Sequence, residues 1–299
     1  MAFASIRELL RRIPGPRTVR GGSGVAKDES RCKAATLEDW FVVGVSVRGA
    51  AHVKNGLPCQ DNYAWRRPCG EILLVAVADG AGSAAYADQG SKLAVHSSLE
   101  ALEVGLSEKV PAEKEEWRAL LNTAFETARK ALLDQANVLG SAAHELASTL
   151  LVAALNSESL ASMQVGDGCI VVQTEEGTLE AVSTPMNGEY VNETVFLTSG
   201  DALRQMRFSF RVARLRGLAL LTDGLQQLAL KMPEALPHPP FFYPLLRFAK
   251  TSQDEQEATK QLTQFLESPR VGDRADDDLT LVLAVSSESG KLSNEGNPT

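Results

Sequence analysis

The sequence predicts an α+β fold formed by one continuous domain. Two observations carry this. Strand-like apolar runs recur between residues 40 and 285, and two long helical patterns interrupt them after the second run. No linker-like stretch divides residues 37–287, which disfavours a two-domain chain.

Trp40–Val47 (WFVVGVSV) is rich in β-branched residues and is expected to be a strand. Residues 72–78 (ILLVAVA) form an unbroken apolar run of strand length, the pattern of a strand buried on both faces. Helical periodicity covers residues 84–106 and again 113–138. In the second span Leu120, Leu121, Ala124, Phe125, Ala128, Ala131 and Leu132 fall near i, i+3, i+4, i+7 spacing. These two helices are expected to lie antiparallel. Strand signals return at 148–155, 160–165, 169–173, 190–197, 208–212 and 218–222, several of them separated by Gly- and Asp-containing turns. Residues 233–244 are Pro-rich and are expected to be an irregular surface segment. With His238, Phe241 and Phe242 it would be either a flap over a substrate or a loop covering the core. A helical pattern over 245–267 and a last strand at 279–285 complete the body.

The formal net charge of the 299 residues is -8, but it is unevenly placed. Residues 1–36 carry eight Lys/Arg and three acids, net +5, which leaves -13 for residues 37–299. The head has the Arg content of a transit peptide, but Glu8 and Pro14-Gly15-Pro16 count against a targeting helix. It is expected to be a basic extension and linker, and residues 288–299 a disordered tail. The acidic body argues against nucleic acid as a partner. No run approaches the ~18 apolar residues of a membrane span. Cys32, Cys59, Cys69 and Cys169 form no C-x-x-C pair, and four His offer no zinc-type spacing. Reduced thiols in a cytoplasmic protein are expected.

One feature recurs along the body. Short Asp-containing turns sit beside apolar runs: Asp61 in Cys59-Gln60-Asp61-Asn62, Asp79 in Asp79-Gly80-Ala81-Gly82, Asp167 in Gly166-Asp167-Gly168, Asp223 in Thr222-Asp223-Gly224, and Asp276-Asp277-Asp278 before the last strand. Converging carboxylates at strand ends would repel one another and take up protons. A multivalent cation removes both costs, and oxygen-only ligands favour Mg²⁺ or Mn²⁺. Two such ions ~3.5–4 Å apart form the usual clamp for hydrolysing phosphate esters. Taken singly, each Asp-Gly is as well explained as a turn.

Taken in order, the set resembles the type 2C metal-dependent serine/threonine protein phosphatases, in their bacterial branch. The matching stretches are Gly44-Val45-Ser46 with His52 and Pro58-Cys59-Gln60-Asp61; Val77-Ala78-Asp79-Gly80-Ala81-Gly82; Ala147-Ser148-Thr149-Leu150; Val165-Gly166-Asp167-Gly168; Gly188 to Thr194; Leu221-Thr222-Asp223-Gly224; and Asp277-Asp278-Leu279-Thr280. The resemblance implies a four-layer α-β-β-α sandwich of two antiparallel sheets flanked by helix pairs. It implies two Mn²⁺ or Mg²⁺ ions, with a third, weaker one. Asp79 would bridge both ions with help from the Gly80 carbonyl. Asp223 and Asp277 would bind the first, Asp61 the second, and Asp167 the third. The implied reaction is hydrolysis of protein phosphoserine or phosphothreonine by a metal-bridged water, in a pair with a bacterial Ser/Thr kinase.

The chain departs from the pattern at three places. Gln60 stands where many relatives have Glu, Gly56 where an Arg often grips phosphate, and Ala81 where some carry a His. His52 or Lys54 would then supply the positive charge, and His52 would contact phosphate or act as the acid. These departures also motivate a competing function, a catalytically weak phosphatase-like binding or regulatory module. The retained aspartates oppose it, because buried carboxylates without a cation are costly.

Overall fold

The strand runs pair into two five-stranded antiparallel sheets. A computed structural model describes residues 40–68, 72–185, 194–272 and 275–286. The first sheet has the order β1 (Trp40–Val47), β12 (Leu279–Ser286), β9 (Leu215–Leu221), β6 (Cys169–Thr174), β7 (Leu179–Ser183). The second has the order β2 (Asp61–Arg66), β3 (Leu73–Asp79), β4 (Leu150–Leu155), β5 (Ser159–Val165), β8 (Arg207–Val212). Strands β10 (Leu230–Lys231) and β11 (Leu236–Pro237) form a small ribbon. The helices are α1 (Ala50–Asn55), α2 (Ala87–Glu108), α3 (Lys114–Leu139), α4 (Ala202–Gln205), α5 (Gln226–Ala229), α6 (Pro239–Thr251), α7 (Glu255–Leu266) and α8 (Pro269–Gly272).

The two-residue period of a strand sorts the apolar side chains into three layers. Along β3, Leu74, Ala76 and Ala78 face the α2–α3 pair, while Leu73, Val75 and Val77 face the other sheet. Along β1, Val43, Val45 and Val47 face α6 and α7, while Trp40 and Val42 pack between the sheets. Trp117 and Phe125 anchor the first helix layer, and Phe241, Phe242 and Phe265 the second. Each such buried side chain contributes roughly 1.5–3 kcal/mol. The result is the expected helix–sheet–sheet–helix sandwich. The helices α2 and α3 are joined by residues 109–113 and turn back on each other, so that Gly105 lies against Leu120.

Several local expectations needed correction. Residues 233–244 are not irregular throughout, because α6 begins at Pro239. Pro239 and Pro240 occupy its first turn, where a missing N–H costs nothing, and the side chains of Phe241 and Phe242 are core. The helical pattern over 245–267 is two helices, broken at residues 252–254. Asp254 caps α7 by accepting from the Glu257 N–H at 2.8 Å. Residues 194–197 are not a strand, and 190–193 lie outside the described residues. Strands β2 and β7 and helix α1 were not anticipated. The basic head over 1–36 and the tail over 288–299 also lie outside the described residues. Among those described, no helix is long and apolar enough to cross a membrane.

Candidate metal centre

The site is assembled at one end of the sandwich from strand ends. In the β2–β3 ladder Asp61 stands directly opposite Asp79. At the end of β3 the chain turns through Gly80, which bridges to Ser148 ahead of β4. A side chain at Gly80 would come 2.4 Å from the Ala87 carbonyl oxygen, so only glycine permits this packing. Thr149 holds the turn from the other side, its hydroxyl accepting from the Asp79 N–H at 2.9 Å. Asp167 follows β5, Asp223 follows β9, and Asp277 precedes β12.

These ends converge. Carboxylate oxygens of Asp79, Asp167 and Asp223 lie within 4.8 Å of one another. Desolvation and then the fields of Asp61, Asp223, Asp277 and Asp167 hold the Asp79 carboxyl well above the usual carboxylate range. Asp61 is pushed up to about 7, chiefly by burial, against the opposing pull of the Thr280 and Thr222 hydroxyls. Asp223 is pushed up to about 7 by burial and by Asp167 and Asp277. Burial also raises Asp167.

Hydrogen bonding divides the oxygens further. Thr222 and Thr280 donate to Asp61 Oδ2 at 2.8 and 2.7 Å, while Asp61 Oδ1 is buried with no partner. Thr194 donates to Asp167 Oδ2 at 2.7 Å, while Asp167 Oδ1 is buried with no partner. Asp223 Oδ1 and Gln60 Oε1 are likewise buried without a donor. Carboxylates held by one oxygen, with the other bare and facing like charges, match the needs of a hard divalent cation. The residues present therefore fit such ions.

A second cluster adjoins the first. One ring nitrogen of His52 and carboxylate oxygens of Asp277 and Asp278 lie within 4.8 Å of one another. His52 Nδ1 comes 2.8 Å from Asp278 Oδ1, close but off the line of an ideal hydrogen bond. Lys54 is exposed on α1, and Gly56 caps that helix in the left-handed region.

Comparison with known proteins is consistent with this geometry. The protein phosphatase 2C family model matches residues 48–267. Serine/threonine-protein phosphatase 3 of Escherichia coli (strain K12) is 36% identical over 256 residues, 83% of this chain and 99% of that protein. The chain belongs to the protein phosphatase 2C family. Solved structures of similar fold include serine/threonine phosphatase Stp1 from Staphylococcus aureus, with a TM-score of 0.56, 15% identity, and coverage of 87% of this chain and 99% of that one. The S. agalactiae serine/threonine phosphatase gives 0.57 at 12% identity, covering 83% of this chain and 100% of that one.

In this phosphatase the strand ends bring Asp61, Asp79, Gly80, Asp167 and Asp223 together, with the charge of Asp277 reaching the group. Lys54 is set apart on the surface of α1. Of the motif from Gly188 to Thr194, only Thr194 is described, and it holds Asp167. Sequence reasoning missed the supporting side chains. Gln164 donates to the Gly166 and Gly168 carbonyls at 2.8 and 2.7 Å, which pins the turn that carries Asp167. Gln226 donates to the Asp167 carbonyl at 2.8 Å from just after Asp223. Asp278 was passed over as one of three consecutive aspartates. The signal was there, because neighbours entering a strand point to opposite faces and at least one must turn inward. Cys59 and Cys169 are free thiols; burial raises both, Cys169 to about 12, and neither is a nucleophile at neutral pH. His96 and His144 are exposed.

Proposed function

We propose that this phosphatase hydrolyses phosphoserine and phosphothreonine in proteins, supported by two Mn²⁺ or Mg²⁺ ions. One observation carries the proposal: Asp61, Asp167 and Asp223 each keep a buried, unpartnered Oδ1 around Asp79. Asp79 would bridge the two ions, with the Gly80 carbonyl assisting at one. Asp223 and Asp277 would hold the first, Asp61 the second, and Asp167 a third and weaker ion. When bound, the ions would activate a water between them and neutralise charge on the phosphoryl oxygens.

The chain's own residues set the geometry for that step. Thr222 and Thr280 fix Asp61 by one oxygen and leave the other free. Thr149 fixes Asp79 through its backbone. His52, buried at the rim beside Asp277 and Asp278, would contact the phosphoryl group or donate a proton to the leaving oxygen. Lys54, on the exposed side of α1, would supply at most a long-range positive charge. Residues 37–287 would form the catalytic unit, acting in the cytoplasm on substrates of a cognate Ser/Thr kinase.

The test is hydrolysis of p-nitrophenyl phosphate and of a phosphothreonine peptide with Mn²⁺, with Mg²⁺ and with EDTA, beside Asp79→Asn. Turnover that needs the metal and disappears in the variant is expected. Normal folding with no turnover under any metal would overturn the proposal.

A further inference from the structure

We infer that Asp278 is a positioning residue that seats His52 at the metal centre. The inference rests on the proposed role of His52 at the phosphoryl group. Asp278 is buried, 2% exposed, at the start of β12. Its Oδ1 accepts from the Gly49 N–H at 2.7 Å and faces His52 Nδ1 at 2.8 Å. Its Oδ2 accepts from the Gln60 N–H at 2.5 Å. One side chain thus ties together the start of α1, the ring of His52 and the residue before Asp61.

The surroundings leave this segment little freedom. The Ala51 N–H donates to the Asp276 carbonyl at 3.1 Å. A side chain at Gly49 would come 2.3 Å from the Asp277 carbonyl, so the backbone of Gly49 lies flat on the 276–278 turn. The two hydrogen bonds to Asp278 come from N–H donors. A carboxylate, which only accepts, suits both donors and also an Nδ1–H of His52. An amide cannot, because its NH₂ would face one of the N–H groups. A buried acid among donors is held for orientation rather than for solvation.

The experiment compares His52→Ala, Asp278→Asn and the double variant in the full chain with Mn²⁺. The readouts are kcat and KM for a phosphothreonine peptide and the inhibition constant of inorganic phosphate. His52→Ala should raise KM and the inhibition constant about tenfold or more, the size of a lost charge-assisted hydrogen bond. Asp278→Asn should raise the same two constants about tenfold. The double variant should be no more than about twofold worse than His52→Ala alone, because coupled residues do not add. Fold-changes that multiply, or an Asp278→Asn with both constants unchanged, overturn the positioning role alone. No effect of His52→Ala overturns the role of His52 and this inference with it. Calorimetric Mn²⁺ affinity separates a third outcome. A loss well beyond about 100-fold in Asp278→Asn, more than a supporting partner costs, would assign Asp278 to the metal ligands instead.

A second measurement needs no folded Asp278 variant. In the unaltered chain with Mg²⁺, imidazole ¹⁵N spectra, assigned against His52→Ala, should show His52 carrying a proton on Nδ1. A bare Nδ1 or averaged tautomers would overturn the inference.

Discussion

Asp61 and Asp278 are both buried and both sit at the margin of a strand, yet their oxygens are treated differently. Each oxygen of Asp278 has a backbone N–H donor. Asp61 has two donors crowded on Oδ2 and none on Oδ1, and Asp167 and Asp223 repeat the bare Oδ1. The difference separates a carboxylate with a donor on each oxygen from the carboxylates proposed above to hold a cation. Burial alone would not have distinguished them; the donor inventory does.

The comparison can be broken most sharply at Asp79. Asp79→Asn should lower kcat for p-nitrophenyl phosphate with Mn²⁺ by on the order of 10²–10³ or more. In EDTA the same variant should unfold at a higher urea concentration than the parent, since an amide at that position needs neither the proton uptake nor the repelled charge that a carboxyl there requires. A metal-free variant less stable than its parent would show that the group is not strained.

A pH series comes next. The folded-state pKa values of Asp61 and Asp223 are raised from 3.8 to about 7, so the folded protein binds more protons than the unfolded chain. Their contribution is fully present below about pH 4 and is lost as pH rises through about 7. Metal-free protein should therefore lose stability from pH 5 to pH 8, by on the order of 3 kcal/mol. Mn²⁺ at pH 8 should restore it. Urea unfolding at each pH measures this, and a rise across that window without metal would contradict the assignment.

Asp278→Asn should behave oppositely to Asp79→Asn. It should cost about 1–3 kcal/mol in metal-free protein, because a buried donor loses its acceptor. The smallest effect is expected at Thr194→Val. It removes the hydroxyl donor to Asp167 Oδ2 and should cost about 1 kcal/mol, read as a small drop in the urea midpoint.

The fold was legible wherever apolar periodicity was strong. Residues 72–78 could be placed on both-face burial, and the long helices to within a few residues, because Leu121, Ala124, Phe125, Ala128 and Leu132 mark one face. Strand β2 was hidden because Asp61-Asn62-Tyr63-Ala64-Trp65-Arg66 mixes polar and aromatic residues at a sheet edge. Helix α6 was hidden because two prolines that start a helix look locally like two that prevent one. At the site, the aspartates were visible as recurring Asp-Gly turns. Their partners were not, since the Thr222, Thr280 and Thr194 hydroxyls meet carboxylates far away in the chain. The asymmetry between Asp61 and Asp278 belongs to those long-range contacts, and no local pattern announces it.

The pairing of Asp61 with Asp79 has a consequence for how the gene can vary. Six rungs of the β2–β3 ladder run from Arg66↔Leu74 to Asp61↔Asp79, and the connecting loop lies at the opposite end from the carboxylates. The hairpin works as a ruler read at its open end. Residues added to the loop change nothing at the mark. A single residue added within β2 slides the whole scale by one and turns Asp61 to the other face of the sheet. Length changes should thus be accepted between β2 and β3 and rejected inside either strand.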